Sequence, residues 1–175
     1  MSSFYKIASY TVPSGGVASY TFSNIPQTYT DLCVIWSGRG SRSPAFYSDN
    51  GIKINGNLTA NSVNYQAHRY YNGSPLAYTG TDGQYPSGYD NGASSYQYQF
   101  SNVHYYFYNY TSSNYKTVLV QTTCEQDSAT AIFNLNEADM LKNTAPITSL
   151  VAFGSTNNYT LQQYSVITLY GIKDS

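Results

Sequence analysis

The chain has 175 residues, of which 10% are charged, and a formal net charge of −1. That length suits a single domain spanning 1–175, able to bury about two-thirds of the surface of its unfolded chain without a metal or disulfide. Near-neutral charge gives no electrostatic support for a nucleic-acid partner, and no run of 18 apolar residues suggests membrane insertion.

Residues 5–12 and 17–23 alternate as strands. Pro13-Ser14-Gly15-Gly16 between them reads as a hairpin turn, because Gly supplies the positive φ such turns need. A strand at 30–37 follows, in which Leu32-Cys33-Val34-Ile35-Trp36 is apolar on both faces, as in a central strand. Asp49-Asn50-Gly51 marks a turn before a short strand at 51–54, and a longer strand is predicted at 63–71. The stretch 72–98 is rich in Gly, Ser, Pro and Tyr and has no apolar period. It reads as an exposed loop or arm that orders against a partner. Strands at 96–110 and 115–125 flank a turn at Ser112-Ser113-Asn114, and another strand is expected at 130–134. Residues 136–144 read as one helical turn, with Asn136 as N-cap and Ala145-Pro146 as the stop. Strands at 147–153 and 163–172 close the chain. This pattern places the protein in the all-β class, as a single antiparallel β-sandwich with jelly-roll-like connections.

Thirteen of the 21 tyrosines fall within 65–115. In 103–109, His104, Tyr106 and Tyr108 share one strand face, and Tyr105, Phe107 and Asn109 share the other. One face can help fill a core, and the other forms an aromatic row for contact with a partner or a glycan. The contact residues expected on this basis are Tyr78, Tyr85, Tyr89, Tyr96 and Tyr98 in the arm, and Tyr105, Tyr106, Tyr108 and Tyr110 in and after the strand.

Motifs with chemistry are few. His68 and His104 are the two imidazoles, and Gly-x-Ser-x-Gly is absent. Gly38-Arg39-Gly40-Ser41-Arg42 lacks the spacing of a phosphate loop. The carboxylate pairs Asp82/Asp90 and Glu125/Asp127 read as loop and strand-end chemistry. No catalytic residue, metal ligand or cofactor site is expected. Cys33 and Cys124 lie in apolar strands and read as two buried free thiols. The opening, Met1 to Val12, has no apolar stretch of the kind that directs export.

Several segments carry a family pattern. They are Ile7-Ala8-Ser9-Tyr10-Thr11-Val12, Ser14-Gly15-Gly16, and Phe22-Ser23-Asn24-Ile25-Pro26-Gln27-Thr28-Tyr29-Thr30-Asp31-Leu32. Later come Asn109-Tyr110-Thr111-Ser112-Ser113-Asn114-Tyr115-Lys116 and the closing Ile167-Thr168-Leu169-Tyr170-Gly171-Ile172. Together they resemble a family of small structural proteins of tailed bacteriophages whose chains end in an "ATLYGI"-type strand. The resemblance covers roughly the first 35 and last 65 residues and leaves 38–108 uncovered. It implies a non-enzymatic virion protein, made in the host cytoplasm and assembled into the particle beside other virion proteins. A capsid decoration or accessory protein is the expected role, working as a homo-oligomer, with trimers common in such proteins. A tail-fibre domain recognising host surface glycans, or a lectin-like module unrelated to phages, are the alternatives.

Overall fold

A computed structural model describes residues 3–57, 62–71, 74–96, 98–125, 132–154 and 158–173. Among these residues there are twelve strands and no helix. They are β1 (Ser3–Thr11), β2 (Ser19–Phe22), β3 (Asp31–Gly38), β4 (Tyr47–Ile54), β5 (Val63–Tyr71) and β6 (Ser74–Gly83), followed by β7 (Ser87–Asn91), β8 (Ser101–Phe107), β9 (Lys116–Glu125), β10 (Ile132–Leu141), β11 (Leu150–Phe153) and β12 (Val166–Lys173).

Two antiparallel sheets pack as a sandwich, one ordered β1-β12-β3-β8-β9-β10-β5-β6 and the other β2-β11-β4-β7. The pairings are nested: β1 with β12, β2 with β11, β3 with β8, and β4 with β7. Successive pairs alternate between the sheets, which is the wrapping of a jelly roll. Two hairpins are inserted into this frame, β5–β6 between β4 and β7, and β9–β10 between β8 and β11. Both extend the same edge of the larger sheet, beyond β8. The larger sheet therefore has four more strands than the smaller one and overhangs it beyond β9. The outermost, β6, contains Pro75; a residue without an N–H is tolerated where one side of a strand has no neighbour.

Side-chain alternation builds the core. In β9 the buried face is Lys116, Val118, Val120, Thr122 and Cys124. Lys116 buries its stem while its ammonium donates to the carbonyls of Asn114 and Asn143, both at 3.2 Å. Leu32, Val34 and Trp36 of β3 are fully buried between the sheets and join Phe107, Leu150 and Ile167 in the main core. Removing each such side chain from water is worth about 1.5–3 kcal/mol. A second cluster of Ala67, Cys124, Phe133 and Leu135 lies under the extension, with Tyr71, Tyr78 and Tyr89 packed on it.

The structure corrects four sequence expectations. The turn after β1 forms, with the Gly16 N–H bonded to the Pro13 carbonyl at 3.2 Å, but β1 and β2 lie in different sheets and do not pair. Asp49-Asn50-Gly51 sits inside β4 and is not a turn. Asn50 is buried there as the acceptor of the Tyr105 hydroxyl, and a Cβ at Gly51 would lie 2.4 Å from the Tyr85 ring. The stretch 72–98 is not a loop or arm throughout, because β6 and β7 occupy much of it. Small, polar and aromatic residues interrupt the few aliphatic ones, Leu76 and Ala77, so these strands carry no apolar period. Finally, the helical turn expected at 136–144 is instead the end of β10, a strand with Phe133, Leu135, Glu137, Asp139 and Leu141 buried. The strand expected at 130–134 belongs to this same element, its first two residues lying outside those described.

Candidate functional site: a tyrosine-lined cleft over a buried carboxyl pair

Where the larger sheet overhangs the smaller one, β7 forms a wall and β10, β5 and β6 form a floor. The space between them is a cleft of about 400 Å³ lined by Tyr65, Tyr78, Gln84, Tyr85, Tyr89 and Glu137, with Gly83 and Ser87 completing it. Tyr85 and Gln84 belong to the short β6–β7 connection, and Ser87 and Tyr89 to β7. The glycines make room for the rings. Gly80 lies opposite Tyr65 in register, and a Cβ there would meet the Tyr65 ring at 2.3 Å. The Tyr65 and Tyr78 rings then meet edge to face at 6.0 Å.

The floor carries the chemistry. Glu137 and Asp139 are two residues apart in β10 and so point to the same, inner face. Both are buried. In register, Glu137 is flanked by Ala67 and Val120, and Asp139 by Tyr65 and Val118. The Ser87 N–H and hydroxyl donate to Glu137 and tie β7 to the floor. No N–H or hydroxyl reaches either oxygen of Asp139; its polar neighbour is the Glu137 carboxyl. Two buried acids on one strand face oppose each other's ionisation. Burial pushes the Glu137 carboxyl up to about 7. Burial first, and the Glu137 charge second, push Asp139 higher still. The pair is in direct contact, unlike the carboxyl groups of a glycoside hydrolase, which flank the bond they cleave.

A cation packs against the cleft's Tyr78 without itself lining the cleft. The Arg69 guanidinium lies over the rings of Tyr71, Tyr78 and Phe133, at 5.9, 5.8 and 5.7 Å. Tyr89 stacks at an angle on Phe133, with centroids 4.4 Å apart. Burial, with the neighbouring Tyr78 and Asp49, raises the Tyr89 phenol well above its ordinary range, so it stays a neutral donor. Burial raises Tyr78 to about 12, with the same consequence.

A second polar knot lies deeper. The Tyr105 hydroxyl donates to Asn50 Oδ1. Ser101 Oγ is 2.9 Å from Asp90 Oδ1 and 3.0 Å from the Gly38 carbonyl. Asp90 is fully enclosed, and burial lifts its carboxyl to about 7.

The tyrosines expected at a contact surface divide four ways. Tyr78, Tyr85 and Tyr89 come together in the cleft. Tyr106 and Tyr108 lie on the opposite, outer face of the large sheet, ring centroids 4.5 Å apart, and Tyr106 donates to Asp31 at 3.0 Å. They line a groove with Phe4, Ile35, His104 and Leu119. Tyr96 and Tyr98 are exposed on the β7–β8 connection and do not line the cleft. Tyr105 and Tyr110 are corrections: both are fully buried core residues, Tyr110 bonding through its hydroxyl to the Pro26 carbonyl, so neither can meet a partner. Of the carboxylate pairs considered in the sequence, Asp90 is a core residue, the Asp82 side chain and Asp127 fall outside what is described, and Glu125 ends β9. Tyr65, Arg69, Ser87, Glu137 and Asp139 are site residues that the sequence reading missed. The signal for the acids was their phase, since they continue the period-two series begun by Phe133 and Leu135. Among the described residues, no group of three or more His, Cys, Asp and Glu side chains could hold a metal ion.

Set against known proteins, the chain matches no family model and no curated sequence.

Proposed function

We propose that the chain is a non-enzymatic structural subunit of a tailed-phage particle, serving as a capsid decoration or accessory protein. One observation carries this reading. The separated segments that bear the phage resemblance satisfy one another in three dimensions. The Thr30 N–H bonds the Ile172 carbonyl at 2.8 Å, and the Asn109 N–H bonds Asp31 Oδ1 at 2.7 Å. The Tyr110 hydroxyl bonds the Pro26 carbonyl, and the Tyr29 ring occupies the space left by the missing side chain of Gly171. A pattern spread over both ends of the chain is thus one physical unit, joining β1, β12 and β3 of the jelly roll to the β8–β9 turn. Jelly rolls are common in capsid and lectin proteins, which supports the reading at the level of fold alone.

The outer face of the large sheet adds a second support. Across β8, β9, β10 and β5 it presents side chains such as His104, Leu119, Gln121, Asn136, Ala138 and His68, and only Glu125, at the end of β9, is acidic. A broad face with so little charge lets copies pack side by side without long-range repulsion. Quantitative mass spectrometry of purified particles, with gold-labelled antibody in negative stain, tests the proposal. Many copies per particle, labelled on the head, are expected; absence from particles overturns it. A receptor-binding role on a tail fibre is the second reading, favoured by the cleft, and tail labelling would select it.

A further inference from the structure

Each wall of the cleft narrows the class of ligand it suits. Its volume of about 400 Å³ lies within the range of small-molecule sites. Four tyrosine rings, Tyr65, Tyr78, Tyr85 and Tyr89, supply flat apolar faces with polar rims. Arg69, packed behind Tyr78 and outside the lining, offsets the acids of the floor, so a cation gains little there. Glu137, backed by Asp139, opposes an anion. What remains is a neutral ligand with both apolar faces and many hydroxyls. A hydroxyl both donates and accepts, and the Glu137 carboxyl in the lining can meet it either way, accepting when ionised and donating when protonated. Gln84 and Ser87 add further groups of both kinds at the rim.

We propose that this cleft is a saccharide-binding site, taking a neutral pyranose unit with its C–H face against the tyrosine rings and its hydroxyls on Glu137, Ser87 and Gln84. The inference stands apart from where the chain sits in a particle, since it needs only the cleft.

Saturation-transfer NMR tests it, with methyl glycosides of glucose, galactose, mannose, rhamnose and N-acetylglucosamine as probes. Tetramethylammonium and inorganic phosphate serve as probes of the two charged classes, and an isolated bacterial O-polysaccharide as a polymer. At least one sugar is expected to receive transfer on its ring C–H protons. Tyr78→Ser and Glu137→Gln should each weaken that binding about tenfold or more, equivalent to about 1.4 kcal/mol. Tyr106→Ser, on the outer face, should leave it unchanged. Should Tyr78→Ser fail to fold, Gln84→Ala at the solvent-facing rim replaces it with the same expectation. Tighter binding of the polymer than of the methyl glycosides assigns the ligand to a surface glycan, and equal binding to a free sugar. Failure of every sugar and the polymer to bind overturns the proposal. Binding insensitive to both cleft substitutions, or binding of tetramethylammonium or phosphate in place of sugars, overturns it as well.

Discussion

Raising the pH through neutrality should destabilise this fold, and Asp90 allows the size of the effect to be worked out. Its carboxyl is enclosed, and burial lifts it from 3.8 to about 7. Ser101 Oγ donates to Asp90 Oδ1 at 2.9 Å, which favours the ionised form, but burial outweighs that contact. Below about pH 4 the acid is protonated in both the folded and unfolded chain, and it costs nothing. Between about pH 4 and 7 the unfolded chain releases a proton that the folded chain keeps, so stability falls as pH rises. Above about pH 7 the loss is complete. A gap of about three pH units at about 1.4 kcal/mol each sets a ceiling near 4 kcal/mol, and a loss of roughly 2–4 kcal/mol is expected. Glu137 and Asp139 are also raised, so they act with the same sign. That is a large part of a typical domain's 5–15 kcal/mol. Urea unfolding followed by Trp36 fluorescence, from about pH 4 to about pH 8 at constant ionic strength, measures it. Asp90→Asn keeps a donor of the same shape and should make the slope shallower, and Glu137→Gln should do so independently. A wild-type stability that stays flat or rises over this range would refute the reasoning, as would an Asp90→Asn slope equal to that of wild type.

Other expectations follow from single contacts. Cys33 and Cys124 lie on β3 and β9, with β8 between them, and are free and buried; burial raises the Cys33 thiol to about 11 and Cys124 further. Two thiols should therefore react with a disulfide reagent after denaturation and none quickly before it, and a count of zero would show a disulfide that this topology forbids. Gly171→Ala would put a methyl 2.3 Å from the Tyr29 ring, with an expected loss of about 1–3 kcal/mol in a denaturant titration. Tyr105→Phe leaves the buried Asn50 carbonyl without its donor, which should cost about 1–3 kcal/mol by the same assay. The pair Tyr106→Ser and Tyr108→Ser, on the outer face, should preserve the circular dichroism of the fold while lowering the sedimentation coefficient of any homo-oligomer; loss of folding would place these rings in the core.

Much of the frame could be read from alternation and turns. The series Leu32-Val34-Trp36 and Val118-Val120 declared their buried faces, and most expected strands appear with ends shifted by a few residues. The extension was harder to read, for a physical reason. On β10, β5 and β6 its inner face mixes Phe133, Leu135 and Ala67 with tyrosines, an arginine and two acids, so a hydrophobic period is weak there even though the geometric period of two is intact. Glu137 and Asp139 occupy apolar slots of β10, and that substitution made 136–144 look like a polar helical turn. Tyr78, Tyr85 and Tyr89 were picked out as contact residues by composition, whereas their meeting with Tyr65 depends on β5 pairing with β6 and on β7 crossing to the other sheet. Tyr105 and Tyr110 were misread because a tyrosine whose hydroxyl has an internal partner, Asn50 or the Pro26 carbonyl, buries as readily as a phenylalanine.

The nested pairing of the frame also sets an order in time. Ser3 lies opposite Lys173, so the outermost pair closes a loop of nearly the whole chain, whereas β4 and β7 are the innermost pair. Loop-closure entropy favours short closures first, which sends assembly from the inside outward. On a ribosome, the apolar β3 emerges ahead of both its neighbours and waits for β8 and then for β12. Refolding should accordingly be slow beside that of a helical protein of equal length, since so many contacts join distant residues. During that wait, the exposed edges of β1 and β3 are the places where a chaperone, or another nascent copy, would first take hold.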